Sequence, residues 1–113
     1  MSERRPRPEL EPARPTPVAG TVEIQEGAIV SRTLARLAGG SLTTFAFDAG
    51  QGLSEHTSPR EAFVLVLDGE LEISIGGTPY TVGAGQIIRM PAGVPHGLEA
   101  KSPTRMLLAM FAK

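Results

Sequence analysis

Cysteine and tryptophan are both missing from this 113-residue chain. Without cysteine there is no disulfide, no thiolate nucleophile and no Cys-type zinc site, and the composition leans toward the cytoplasm. Aromatic residues are scarce, with four Phe and one Tyr, so the stacking platforms of single-strand nucleic-acid binders are lacking. Charge of one sign is also absent: 11 basic residues face 12 acidic ones for a net −1, which removes any general attraction to nucleic acid or anionic lipid. The longest apolar run, Met106–Ala112, falls well short of the ~20 residues of a membrane helix. No apolar signal-peptide core opens the sequence. A soluble cytoplasmic protein with neither nucleic acid nor membrane as partner is the expectation.

What is abundant is glycine and proline, 13 and 10 residues. Half of the prolines fall in residues 1–17, interleaved with Arg and Glu. Proline fixes φ and removes a backbone donor, so this stretch reads as a disordered tail rather than a helix or strand. Residues 18–113 then read as one domain, within the usual ~100–150 residues. Its pattern is β. Leu42–Phe47, Phe63–Leu67, Leu71–Ile75, Pro79–Val82, Gln86–Met90 and Arg105–Phe111 are short runs of branched and aromatic residues between Gly, Pro and Asp punctuation. Asp68-Gly69 and Gly76-Gly77 carry the two-residue hairpin pattern. Ser31–Gly39 fits either a capped helix or a strand, and its β surroundings favour the strand. An all-β sandwich or barrel is predicted.

Two histidines stand in glycine-framed settings. Gly50, His56 and Gly69 frame the first, and Gly85, Pro91, Gly93 and His96 the second. These positions fall on the spacing Gly-x5-His-x-His-x3-Glu-x6-Gly and Gly-x5-Pro-x-Gly-x2-His-x3-Asn, and in this the chain resembles the small single-domain cupins. The resemblance implies a jelly-roll barrel, or double-stranded β-helix, and a divalent metal held by three histidines and a glutamate. Three positions depart from it: Ser58 stands for the second histidine, Ala62 for the glutamate and Ala100 for the asparagine. His56 and His96 are therefore the candidate metal ligands, two where catalytic sites usually keep three. Glu61 lies one residue from the glutamate position, so strand alternation turns it outward unless a bulge near Pro59 returns it. Glu55 has the same parity problem beside His56.

The candidate ligand pocket is His56, Ser58, Ala62, Val64, Met90 and His96. The cofactor is one divalent metal (Zn, Fe, Mn or Ni, with Cu disfavoured) or none. Met90, Met106 and Met110 read as core filling rather than copper ligands. Ser54 and Ser58 near His56 lack the Gly-x-Ser-x-Gly elbow of a hydrolase. Arg60, Glu61, Glu70, Glu72 and Lys101 read as a solvated face. The leading expectation is a barrel that binds a small molecule at the histidines. Its competitor is a metal-dependent cupin enzyme (dioxygenase, isomerase or lyase) acting on a small organic substrate. The resemblance also implies a homodimer through sheet-to-sheet contact, for which Leu107–Phe111 is the candidate segment.

Overall fold

The structure, a computed structural model, describes residues 8–112. Among them nine strands follow a short 3-10 turn at Ala19–Thr21: β1 (Ile29–Leu37), β2 (Gly40–Phe47), β3 (Gly52–His56), β4 (Glu61–Asp68), β5 (Glu70–Ile75), β6 (Thr78–Gly83), β7 (Ile87–Met90), β8 (His96–Ala100) and β9 (Thr104–Phe111). They form a five-stranded sheet, in the order β1-β2-β9-β4-β7, and a four-stranded sheet, β3-β8-β5-β6. Every pairing is antiparallel. This is the expected jelly-roll barrel.

Alternation of side chains sorts each strand into two faces. On β4, Ala62, Val64 and Val66 are buried; on β5, Leu71 and Ile73 are; on β8, Leu98 and Ala100 are. Together with Phe47, Val82, Met90 and Met106 they make one core between the sheets. Each fully buried aliphatic side chain there contributes about 1.5–3 kcal/mol of transfer free energy.

Ser31–Gly39 is mostly strand: β1 pairs with β2, and the register slips between Thr33 and Ala35. Gly76-Gly77 is the hairpin expected, joining Ile75 to its partner Thr78 with both glycines at positive φ. Asp68-Gly69 is not a hairpin. β4 and β5 lie in different sheets, and the chain crosses between them at Gly69, whose φ is +86°. Any side chain at Gly69 would collide with the Pro103 carbonyl and the Thr104 hydroxyl, so glycine is there for close approach. Two strands, β3 and β8, carry no apolar run and escape the strand pattern of the sequence.

Residues 1–7 of the proline-rich stretch lie outside the described residues. Residues 8–17 form no helix or strand and stay exposed, in keeping with their prolines. They are nonetheless tied to β1: Leu10 N–H donates to the Leu34 carbonyl (2.8 Å), and Arg36 N–H to Glu9 Oε1 (3.1 Å). The chain then crosses the outer face of the five-stranded sheet. Arg32 donates to the carbonyls of Pro8 (3.3 Å) and Thr21 (3.5 Å), and Arg105 to that of Ala19 (3.4 Å).

Candidate functional site

His56 and His96 meet through a defect in the ladder. Leu53 pairs with Leu98 and His56 with His96, so β3 spends three steps where β8 spends two. With regular alternation Glu55 would have faced inward from Leu53's side. The bulge at Ser54–Glu55 reverses that parity and turns His56 to the face of His96. Gly97 lies against the bulge, where a Cβ would sit 3.3 Å from the Leu53 carbonyl oxygen and the Glu55 nitrogen. The two rings pack edge to face with centroids 4.4 Å apart. His96 is 5% exposed, whereas His56 is open to solvent.

Both rings are held in the same way. His56 Nδ1 lies 2.7 Å from the Ser54 carbonyl oxygen, and His96 Nδ1 lies 3.2 Å from that of Val94. The 91–95 loop leading into His96 is fixed in turn. Ala92 N–H donates to Glu61 Oε2 (2.6 Å), Gly93 N–H to the Ser58 carbonyl (2.8 Å), and Gly76 N–H to the Pro95 carbonyl (2.8 Å).

The other candidate residues lie in the packed core or in the segments around the histidines. Ala62, Val64 and Met90 are buried in the core, Ala62 directly opposite Met90 and Val64 opposite Ile88. Ser58 is half-buried, and its hydroxyl accepts from Arg60 N–H (3.2 Å) rather than joining the histidines. Glu61 points to the other side of β4. Besides the Ala92 amide it holds Arg89, whose Nη2 is 2.6 Å from Oε1, and Arg89 lies over the Phe63 ring. Its work is to fix the loop, a role with no signal in the sequence spacing. Glu55 is exposed in the bulge.

A catalytic divalent metal of the kind held by imidazole usually keeps three protein ligands. Among the described residues no three His, Cys, Asp or Glu side chains group to hold one. Two imidazoles with Ser58 and Ala62 in the remaining motif positions do not fit such a metal.

The family model for the cupin domain (Cupin_2) matches residues 43–111. The chain belongs to the cupin family. Among solved structures, it is similar to a protein of unknown function from Streptococcus pyogenes, at 35% identity and TM-score 0.87, covering 99% of this chain and 98% of that one. A cupin 2 conserved barrel domain protein from Leptotrichia buccalis is 38% identical with TM-score 0.81, over 83% of this chain and 46% of its own. Among curated proteins, the quercetin 2,3-dioxygenase of Bacillus subtilis is 34% identical over 61 residues, which is 54% of this chain but 18% of that relative's length. Among the described residues no helix is long and apolar enough to cross a membrane.

Proposed function

We propose that this cupin barrel binds a small organic molecule in a pocket anchored by His56 and His96. The observation that supports it is the bulge at Ser54–Glu55, which turns a second imidazole onto the face of the first. Beyond that pair the interior is apolar, with Ala62, Val64 and Met90 in its core. Ligand binding would stabilise the folded state by mass action, so a thermal-shift screen of organic acids, sugars and aromatics in excess EDTA tests the reading. Stabilisation that disappears in a His56→Ala/His96→Ala double variant is the expected result. A screen without hits would count against it.

A second reading, catalysis on a small organic substrate with a metal, is favoured by the likeness to the quercetin 2,3-dioxygenase. It requires ligands beyond the two imidazoles. Elemental mass spectrometry of untagged protein separates the readings: near-stoichiometric metal in the parent and none in the double variant would give this one precedence. We further propose that the protein is a homodimer joined through the outer face of the five-stranded sheet.

A further inference from the structure

We infer that Arg89, an exposed residue on the outer face of the five-stranded sheet, is a positioning residue for His96, acting across the sheet through the Glu61 carboxylate and the 91–95 loop. Its functional consequence rests on the reading that the histidines anchor a ligand, whereas the placement of His96 is measurable with no ligand present.

Glu61 opens β4 one position before the buried Ala62, so alternation sets it on the outer face with Phe63. Register puts Arg89 of β7 opposite Phe63, and its guanidinium carbon lies 5.6 Å from the centre of that ring. There Arg89 Nε and Nη2 both reach Glu61 Oε1, at 2.7 and 2.6 Å. The other oxygen, Oε2, accepts from Ala92 N–H at 2.6 Å. One carboxylate thus holds a side chain of the outer face with one oxygen and the backbone of the loop with the other. The Glu61 side chain is 20% exposed against 63% for Arg89. A carboxylate drawn that far from water depends on its partners, and charge-assisted bonds of this length are the stronger kind. Without the guanidinium the long Glu61 side chain regains rotamer freedom, and the contact with Ala92 loosens.

The turn that follows has little to hold it from within. Val94 N–H reaches back to the Pro91 carbonyl over 3.4 Å, a long bond, so the shape of the turn relies on its tethers to Glu61 and to the Ser58 carbonyl. The carbonyl at the end of that turn belongs to Val94, and it lies 3.2 Å from His96 Nδ1. His96 in turn packs edge to face on His56. Movement at Ala92 therefore passes to the Val94 carbonyl, to the His96 ring and to its packing on His56. Ala62 and Glu61 point to opposite faces of β4, yet through Ala92 the outward residue acts on the inner side.

The test reads His96 in the full chain by NMR. In an edge-to-face pair the carbon-bound protons of each ring feel the ring current of the other, so their signals report the packing. Spectra at about pH 8.5, above the ordinary histidine range, keep changes of charge out of the comparison. The His56→Ala variant marks where the His96 signals fall with no ring beside them. Arg89→Met, at an exposed position, should move them part of the way to that mark and speed exchange of the Ala92 amide roughly tenfold, as for a weakened hydrogen bond. Arg89→Lys, which keeps the charge, should recover part of both effects, and Glu61→Ala should enlarge both. Thr21→Val weakens the same sheet at its far end, and should lower the urea midpoint while leaving the His96 signals in place. His96 signals unmoved by Arg89→Met, or moved as far by Thr21→Val, would overturn the positioning role. If the ligand screen finds nothing while Arg89→Met moves His96, the pocket reading fails and the positioning role stands. If a ligand stabilises the parent through the histidines while His96 ignores Arg89→Met, the positioning role alone fails.

Discussion

On the outer face of the five-stranded sheet Phe63, Leu65, Leu107, Ala109 and Phe111 lie side by side by register. The same face of the four-stranded sheet carries Glu70, Glu72, Thr81 and Glu99, with Lys101 reaching both Glu72 and Glu99. The inner faces of the two sheets are alike; the outer faces are not. Charged residues on alternate positions are what a sheet facing water requires. An apolar outer face needs a cover, and at one end the chain provides it. Thr44 and Ala46 point outward yet are fully buried, because the segment before β1 lies across them. Elsewhere the face is open: Ile87, on the β7 edge, is 63% exposed and Phe111 48%, and an apolar depression of about 420 Å³ opens at the tip of the β1–β2 hairpin, lined by Leu37, Leu42 and Phe111 among others. This uncovered part is where the proposed homodimer contact belongs.

The largest effects should ignore this difference. Leu71→Ala and Phe47→Ala empty the shared core from opposite sheets, and each should remove roughly 2–5 kcal/mol of stability in urea titrations. A much smaller loss from one sheet would mean that the core is not shared equally. Outer-face substitutions should then separate the sheets. Leu107→Glu places a charge in the apolar surface and should convert a dimer to a monomer by light scattering, with the fold retained by circular dichroism. Glu72→Gln on the other sheet should leave the mass unchanged. A parent that is already monomeric ends the dimer proposal. Smaller still is the covered end. Thr21 and Thr44 share a buried hydroxyl hydrogen bond of 2.9 Å. Thr21→Val should cost about 1–2 kcal/mol, read as a shift in the urea midpoint. No shift would show that the segment before β1 adds little to the sheet it covers.

The same asymmetry explains what the sequence discloses. Runs such as Phe63–Leu67 and Arg105–Phe111 announce strands because they are apolar on both faces, and those belong to the five-stranded sheet. The wet sheet is harder to read. β3 (GLSEH) and β8 (HGLEA) have too few branched residues to register, though they carry both histidines. Motif spacing, not strand propensity, identified His56 and His96. The parity argument placed Ala62 and Val64 inside, but it had no means to foresee the bulge at Ser54–Glu55, because a bulge appears only when β3 is matched against β8. Glu61 shows the same limit. Its contacts with Arg89 and the Ala92 amide join residues about thirty apart in sequence, and no local spacing encodes that.

The smallest effect tests the charged face by itself. Lys101 Nζ lies 3.2 Å from Glu99 Oε1 and 3.8 Å from Glu72 Oε1. The hydrogen bond to Glu99, and then the charges of Glu72 and Glu99, hold its ammonium above the ordinary value of 10.5. A raised lysine contributes stability that is fully present below its unfolded value and is lost as pH rises through the folded one. Lys101→Met should therefore lower the urea midpoint slightly and evenly across neutral pH, and the gap from the parent should close only under strongly alkaline conditions. High salt should shrink the gap as well, since the pair is exposed to screening ions. The apolar contact at Leu107 should respond in the opposite sense, being strengthened by sulfate. A gap at Lys101 that is insensitive to both alkali and salt would mean that its methylene stem, rather than its charge, acts on the four-stranded sheet, and the contrast between the two outer faces would lose its electrostatic half.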